Sequence, residues 1–482
     1  MYKSRVFSIR NTALILIFIT LTTNYLLSQA RPFPQNVEYP YGYQTSLITP
    51  EVMLDAYNTW KNSFLKSCNG MYRVSGDDTA FSISEGMGYG MLLTAYFGEK
   101  EYFDGLFEFY KSKRTEHAYG LMGWRVTCDD IIDPGSATDG DLDVVYALIV
   151  AHYQWGENYL DDAREILSIL KEYYFEICGR GYYTMKPGGR FGGCNLTDIS
   201  YYSPGYFRVF QDVTGDPFWG TIANHSYIIL EFGANDTTGL VPDWQTFDGI
   251  PGGQGRVDYY RYDACRTPWR MSLDYIWNGN STAQEWCTRI TNFAASIGPT
   301  RIVDGYNLNG TPRGQFNNSA FVGGFAAGAM CNSQTVVDDF TRRLLALHNS
   351  RQDNQYFNLN LRCLYMLTLT GNFWQPDTVV TDVEKTELLP QNFKLYQNFP
   401  NPFNPSTEIK YQLSNGSNIN LSVYNMLGQE IKTLVNYYQH GGEYSVSWDA
   451  TDVNNNPVSS GVYFYQLKTE KHIHQKKMIL AR

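Results

Sequence analysis

The 482-residue sequence has no excess of positive charge, since 48 aspartates and glutamates outnumber 38 lysines and arginines. The resulting formal net charge of −10 argues against a nucleic acid as a partner, because phosphate binding needs a basic face. The sequence also has no Cys-x-x-Cys pair and no cluster of cysteine and histidine at metal-binding spacing. We therefore do not expect a zinc site.

Long apolar runs are missing as well, apart from one segment near the N-terminus. Lys3, Arg5 and Arg10 precede the apolar run from Thr12 to Leu21, and small residues follow at 28–30. The run is too short for the ~20 residues that a membrane-spanning helix needs. Positive, apolar and small-residue segments in this order predict a cleaved signal peptide over residues 1–30, rather than a membrane anchor.

Cysteines are absent from the last part of the chain, because all eight lie before residue 364. In an exported protein an even number of cysteines permits disulfides. Cys178 and Cys194 flank a glycine-rich segment that resembles a hairpin, and we predict that they form a local pair. Several of the others are compatible with buried free thiols, which behave as small apolar side chains.

The length and the changing pattern of the chain predict two folded domains. Residues 31–375 contain about a dozen segments with helical apolar spacing and few convincing strands, which predicts an all-α toroid of helical hairpins. Residues 376–394 are polar and predict a linker. Residues 395–482 alternate in strand fashion between Gly, Asn and Pro turns, which predicts a small β-sandwich.

Glu85 is the first candidate functional residue, and it begins the segment EGMGYGM at the start of a predicted helix. Glycines are costly inside helices, so we interpret the alternate glycines as positions where a bulky ligand approaches the backbone. Near Met87 and Tyr89 the carboxyl would be partly desolvated, which raises its pKa and favours a proton donor. The alternative is an exposed glutamate that caps the helix.

Two further acidic sites complete the set of candidates. Asp139, Asp141 and Asp143 open a predicted helix; capping explains one aspartate, and three indicate that some point into a cleft. Asp263 lies three residues before Arg266, and an ion pair between them would depress the pKa of Asp263 and keep it ionised. That interpretation is compatible with both a structural pair and a general base.

One carboxyl kept protonated and one kept charged is the arrangement that glycosidic-bond hydrolysis requires. Flat side chains in loops would add stacking faces for sugar rings, although each such aromatic alone is more often part of a core. The candidates for this role are Trp124, Tyr201, Tyr202, Tyr206, Trp219 and Tyr356.

Three segments of the chain resemble the hallmark segments of glycoside hydrolase family 8, in the family's order and spacing. The resemblance covers about residues 35–374 and implies an (α/α)6 barrel with an open cleft, an inverting mechanism, and no metal or cofactor. It implies that Glu85 is the general acid, Asp263 the general base and Asp139 the residue that holds the sugar distorted at the cleavage point. The segments are SEGMGYGM, ATDGDLDVVYALIVAHYQWG and YDACRTPWR.

The same resemblance implies a polysaccharide substrate. Arg266 matches the arginine beside the base, and we expect Trp124, Tyr202, Tyr262 and Tyr356 to contact the sugar with it. The segment ATDGDLD is more similar to the glucanase and chitosanase members, which favours endo-acting hydrolysis of β-1,4-glucan. We also expect the protein to be a monomer. The alternatives are a xylanase, a lichenase or a chitosanase, and, from another class, a non-catalytic glycan-binding surface protein.

Three segments of the C-terminal region carry a second resemblance: LYQNFPNPFNPSTEIKYQL, LSVYNMLGQEIKTL and SSGVYFYQLKTEKHIHQKKMIL. They resemble the C-terminal sorting domain of the type IX secretion system. The resemblance implies that the secretion machinery is a partner and that the protein is secreted or attached to the outer-membrane surface. The alternative is a carbohydrate-binding sandwich, but its aromatic residues mostly alternate within strands, as core residues do.

Overall fold

The computed structural model describes the chain from Arg31 to Ala481 with several gaps. The predicted signal peptide and most of the predicted linker lie outside the described residues. Within the described part, no helix is both long and apolar enough to cross a bilayer. The described residues are 31, 33–156, 158–347, 353–376, 393–413, 417–439, 442–454, 456–469 and 473–481.

The described residues of the N-terminal domain form twelve α-helices, which confirms the predicted dozen. The helices are α1 Pro50–Phe64, α2 Ser84–Tyr96, α3 Lys100–Ser112, α4 Thr138–Trp155, α5 Tyr159–Tyr173, α6 Pro204–Thr214, α7 Pro217–Gly233, α8 Thr267–Asn278, α9 Ser281–Ile297, α10 Ser319–Ala329, α11 Gln334–Leu347 and α12 Tyr356–Leu369.

The even-numbered helices form a closed inner ring. α2 packs on α4, α6 on α8, α8 on α10, α10 on α12, and α12 on α2. Between α4 and α6, the rings of Tyr146 and Tyr206 stack with centroids 3.8 Å apart. The odd-numbered helices pack outside the ring, each against an inner neighbour.

Burial explains why the two sets of helices have different sequences. The outer helix α5 leaves most of its residues half-buried or exposed and buries one stripe, which consists of Tyr159, Ala163, Ile166, Leu167 and Leu170. The inner helix α4 is buried at every residue from 138 to 151. A helix enclosed on all sides is apolar around its whole circumference, so periodicity alone does not reveal which face meets a neighbour.

The glycines of α2 serve helix packing, which corrects the prediction that they admit a ligand. A Cβ on Gly88 would lie 2.7 Å from the Cβ of Asp143 and 2.8 Å from the carbonyl oxygen of Gly140 in α4. A Cβ on Gly140 would in turn overlap the backbone of Ser84 at the start of α2. The missing side chains therefore let α2 and α4 cross in close backbone contact.

Short strands connect the helices of this domain. They pair as β1–β2, β3–β4–β5, β6–β7 and β8–β9, all antiparallel. With two to four residues each, they are too short for strand alternation to show in the sequence. Their bounds are β1 Leu65–Cys68, β2 Met71–Val74, β3 Ser82–Ile83, β4 Arg125–Val126, β5 Ile131–Asp133, β6 Phe175–Cys178, β7 Tyr182–Met185, β8 Thr197–Asp198 and β9 Trp244–Gln245.

Two disulfides fasten the hairpins that follow α1 and α5. Cys178–Cys194 confirms the predicted local pair and joins β6 to the segment after β7. Cys68–Cys128, which the sequence did not predict, joins β1 to the segment between β4 and β5. The remaining cysteines are free and buried; they are Cys265, Cys287, Cys331 and Cys363.

The C-terminal region forms two antiparallel sheets, with strand orders β10–β11–β14 and β13–β12–β15–β16. One apolar core joins them, with Ile409 and Tyr411 from the first sheet and Leu421 and Tyr465 from the second. Its strands are β10 Lys394–Leu395, β11 Thr407–Leu413, β12 Ser417–Tyr424, β13 Glu430–Gln439, β14 Gly442–Trp448, β15 Gly461–Lys468 and β16 Ile473–Leu480.

The two disulfides should differ in their contribution to stability. Their cysteines are 60 residues apart in Cys68–Cys128 and 16 apart in Cys178–Cys194. Loop-closure entropy predicts that double serine variants lose about 4 and about 3 kcal/mol, respectively, in the free energy of unfolding. Denaturant titration followed by far-UV circular dichroism measures both. A smaller loss for the longer loop would contradict this entropic basis.

Candidate active site

A cleft of about 560 Å³ opens at the N-terminal ends of inner helices. Glu85 lies in the first turn of α2 and Asp139 in the first turn of α4, while Asp263 lies just before the short 3₁₀ helix that leads into α8. Helix N-termini favour negative charge, which suits acidic residues there. The cleft is lined by Ile83, Glu85, His117, Trp124, Asp133, Gly135, Ser136, Ala137, Asp139, Pro187, Gly188, Arg190, Phe191, Tyr201, Trp244, Arg256 and Asp263.

One buried guanidinium joins the three predicted carboxylates. Arg266, whose side chain is 1% exposed, donates from Nη1 to Glu85 Oε2 and to Asp139 Oδ2, at 2.8 Å each. Its Nη2 donates to Asp263 Oδ1 at 3.1 Å. The planar fork of arginine supplies donors in fixed directions, so a single side chain sets the relative positions of three acids that are distant in sequence.

Glu85 has the raised pKa that the sequence predicts. Burial raises the pKa of its carboxyl to about 7, with the charges of Asp139 and Asp263 adding and Arg266 opposing. The Tyr356 hydroxyl donates to Glu85 Oε1 at 3.2 Å. A carboxyl with this pKa is about half protonated at pH 7, so it can donate a proton near neutral pH.

The prediction that Arg266 depresses the pKa of Asp263 is wrong. The pKa of Asp263 is raised, because burial outweighs the attraction of Arg266 and the charge of Asp139 adds to the rise. Arg266 also binds two other carboxylates, so its charge is shared. The second carboxyl oxygen, Oδ2, accepts a hydrogen bond from Trp244 Nε1 at 3.0 Å.

Of the three aspartates that open α4, one faces the cleft. Asp139 lines the cleft, as described above. Asp141 is fully buried and accepts a hydrogen bond from the Tyr110 hydroxyl at 2.7 Å. Asp143 is also buried and forms a two-pronged ion pair with Arg270, with both contacts at 2.6 Å. The second and third aspartates therefore support the fold beneath the cleft.

The predicted aromatic residues divide into those near the cleft and those in the core. Trp124 is 39% exposed and lines the cleft together with Tyr201. Tyr356 is buried beside the cleft, and its hydroxyl contacts Glu85, which lines the cleft. Tyr262 is half-buried and is not among the lining residues; its hydroxyl donates to Asp304 Oδ2 at 3.0 Å.

The prediction that Tyr202 contacts the sugar is wrong, because Tyr202 is buried. It is 0% exposed, and its hydroxyl accepts from the Met185 amide at 2.8 Å and pairs with the Thr197 hydroxyl at 2.9 Å. It therefore cannot stack on a bound sugar. Tyr206 and Trp219 are core residues for the same reason, since both are buried within the packed helices.

Several residues around the site were not predicted from the sequence. Trp244 contacts Asp263, and its neighbour Asp243 accepts from backbone amides near Asp263. Ser200 accepts from Arg266 Nη2 at 2.9 Å and donates to the buried Asp198 at 2.7 Å. No spacing or repeated pattern distinguishes these residues in the sequence.

One group in the described part of the chain has donor atoms close enough for a metal ion: Glu176 with Cys178 and Cys194. The two sulfurs are joined in a disulfide. Because the thiolate is the metal-binding form of cysteine, this group is not a metal site.

Known proteins are similar to this chain over most of its length. Endoglucanase 2 of Ruminiclostridium josui is 34% identical over 386 residues, covering 76% of this chain and 83% of that protein. Endoglucanase A of Acetivibrio thermocellus is 33% identical over 445 residues, covering 87% of this chain and 90% of that protein. Among solved structures, the apo β-1,3-1,4-glucanase from Paenibacillus sp.X4 matches with a TM-score of 0.64 and 28% identity, covering 71% of this chain and 99% of that chain.

Two family models match separate parts of the chain. The model for the secretion system C-terminal sorting domain matches residues 397–481, the region of the two sheets. The model for glycosyl hydrolases family 8 matches residues 32–371, which contain the helical ring and the cleft. The chain therefore belongs to glycosyl hydrolase family 8 and carries a C-terminal sorting domain.

Proposed function

We propose that the protein is a secreted endo-β-1,4-glucanase that cleaves internal bonds of cellulose or a related β-glucan with inversion at the anomeric carbon. The observation that carries the proposal is the contact of Glu85 and Asp263 with one guanidinium at the base of an open cleft. The endoglucanase names of the relatives support a glucan as the substrate.

The proposal includes the architecture and the limits of the domains. We assign residues 31–375 to an (α/α)6 barrel, which six inner and six outer helices support, and residues 395–482 to an immunoglobulin-like sandwich. Residues 376–394 would link them, after a signal peptide at 1–30. We expect a monomer. The sorting domain directs the protein to secretion or to the cell surface.

In the proposed mechanism Glu85 is the general acid. Its pKa is raised to about 7, so a large fraction of the carboxyl carries a proton at and below neutral pH. When the bond to the sugar at the cleavage point breaks, Glu85 donates this proton to the leaving oxygen, so the departing chain leaves as a neutral alcohol.

Asp263 is the proposed general base, which removes a proton from the attacking water. Since Glu85 and Asp263 bind the two terminal nitrogens of one guanidinium at 2.8 and 3.1 Å, the two oxygens in these contacts lie at most about 8 Å apart. This bound admits the ~6.5–9.5 Å of inverting enzymes, which leaves room for that water, and also the ~5–5.5 Å of retaining enzymes, so the anomer of the first product decides between them. The side chain of Asp263 is 34% exposed, so water can reach its carboxylate.

Asp139 and the exposed aromatics are proposed to bind the sugar. Asp139 shares Nη1 of Arg266 with Glu85 and lines the cleft, where it can accept a hydrogen bond from a hydroxyl of the distorted sugar ring. Trp124 offers an exposed ring on the cleft wall for stacking. Substrate contacts of Tyr262 and Tyr356 stay predictions, and Arg266 is proposed to act through the carboxylates that it binds.

A mixed-linkage β-glucan is the second candidate substrate, because the β-1,3-1,4-glucanase shares the fold over nearly its whole length. Chitosan stays an alternative. Glu85, Asp133, Asp139 and Asp263 line the cleft together with Arg190 and Arg256, so the charges of the cleft do not select against a cationic polymer.

Glu85→Gln should abolish most of the hydrolysis, because glutamine cannot donate the proton. We expect kcat to fall ~10²–10⁴-fold. Reducing-end release from carboxymethylcellulose, mixed-linkage β-glucan, xylan and chitosan measures this, with Glu285→Gln on the exposed surface of α9 as the matched control. Full activity of Glu85→Gln on every polymer would refute the assignment of Glu85 as the general acid. Activity of the wild-type enzyme on xylan alone would replace glucan with xylan as the proposed substrate.

The pH profile of kcat/KM should be bell-shaped. Glu85 must be protonated, and its folded-state pKa is about 7, so activity should fall as pH rises through about 7. Asp263 must be ionised, and its pKa is raised, so the acidic limb should lie above the ordinary range of an aspartate. In Glu85→Gln the residual rate should lose the alkaline limb. An alkaline limb that persists in that variant would contradict the role of Glu85.

Inversion predicts the anomer of the first product. Hydrolysis of a β-linked oligosaccharide should release the α-anomer first, because water attacks the face opposite the leaving group. Proton NMR during the first minutes distinguishes this anomer before mutarotation. Initial release of the β-anomer would show retention and would require a covalent intermediate, contrary to the role given to Asp263.

A further inference from the structure

The carboxylate of Asp263 is held from two directions. Arg266 Nη2 donates to Oδ1 at 3.1 Å, and Trp244 Nε1 donates to Oδ2 at 3.0 Å. The arginine divides its donors among three carboxylates, whereas the indole has a single N–H, and that N–H points at Asp263. The contact from Trp244 is therefore specific to this one acid.

The indole of Trp244 is itself fixed by its surroundings. Trp244 is 9% exposed and belongs to β9, where it lies opposite Asp198 of β8. The rings of Phe191 and Tyr201 approach its ring edge to face, with centroids at 6.1 and 6.4 Å, and the Arg256 guanidinium lies 5.0 Å from its centroid. These contacts fix the plane of the indole and so the direction of its N–H.

The preceding residue, Asp243, holds the backbone that carries Asp263. Its Oδ1 accepts from the amide of Arg261 at 2.7 Å and from the amide of Ala264 at 2.9 Å. Asp243 is 2% exposed, so these bonds are shielded from water. Asp243 thus fixes the backbone on either side of Asp263, and the next residue, Trp244, fixes the carboxylate of Asp263.

We propose that Asp243 and Trp244 are positioning residues for the general base: Asp243 fixes the backbone around Asp263, and Trp244 directs its carboxylate toward the attacking water. This inference rests on the proposed role of Asp263. Neither residue needs to touch the scissile bond, because each acts through Asp263.

The indole hydrogen bond also favours the ionised form of Asp263, since a donor to a carboxylate stabilises its charge. Removing that donor should make the base harder to ionise. The groups whose charges face Asp263 are Arg266 and Arg256, which favour its ionised form, and Glu85, Asp139, Asp198 and Asp243, which disfavour it.

Trp244→Phe tests the proposal, because phenylalanine keeps an aromatic ring and loses the N–H. We expect kcat to fall about 10- to 100-fold, the usual effect of one hydrogen bond to a charged group. KM should change little, and the acidic limb of the kcat/KM profile should move to higher pH. Trp286→Phe is the matched control, since this tryptophan is fully buried in α9 and its Nε1 has no hydrogen-bond partner.

Unchanged kcat and an unmoved acidic limb in Trp244→Phe would overturn the proposal. A raised KM at constant kcat would also overturn it, since that result would make Trp244 a sugar-binding surface. Asp243→Ala provides a second variant, because alanine removes the oxygen that accepts from the amides of Arg261 and Ala264. A lower kcat with a normal KM is expected, whereas the control Asp243→Asn keeps an Oδ1 acceptor and should keep kcat near that of the wild type. A normal kcat in Asp243→Ala would remove Asp243 from the proposal.

A double variant separates this inference from the role of Asp263 itself. If Asp263 is the base, Asp263→Asn loses most activity, and adding Trp244→Phe should cause little further loss. Independent, multiplying losses would overturn the positioning role while leaving Asp263 as the base. An active Asp263→Asn would instead refute the proposed mechanism, whatever Trp244 does.

Discussion

The burial of Arg266 is the constraint on which the site depends. A guanidinium removed from water is costly unless its N–H groups are paired. Arg266 meets this requirement with carboxylates from the starts of α2 and α4 and from the segment before α8. Without it, the three acids would repel one another at the base of the cleft. The same cation therefore joins the starts of α2 and α4 to the segment before α8 and sets the spacing of the groups proposed to act.

The close crossing of α2 and α4 gives this arrangement its rigidity. Gly88 and Gly140 bring the two backbones together just below the first turns that carry Glu85 and Asp139. Deeper in the same layer, Asp143 on α4 pairs with Arg270 on α8. The acids thus stand on helices whose separation is fixed by backbone contact and by a second buried ion pair, rather than on loops that could move independently.

The sequence predicted the helices, the disulfide Cys178–Cys194 and the three acids that meet at Arg266, because periodicity, spacing and family segments are local patterns. It did not predict the burial of Tyr202, the raised pKa of Asp263 or the contact from Trp244. Each of these depends on which distant segments pack together. A tyrosine in a loop has the same local pattern whether it faces a cleft or a core, and an ion pair three residues apart does not reveal how many other carboxylates share the cation.

The two disulfides have a consequence for the timing of maturation. One bond lies in the wall segment between Trp124 and Asp133, and the other follows Phe191 in a second wall segment. Such bonds form in oxidising compartments and not in the reducing cytoplasm. During export, both walls of the cleft therefore become covalently fixed only after the chain has left the cytoplasm. Oxidation, rather than synthesis, therefore completes the walls of the cleft, and it does so outside the cytoplasm.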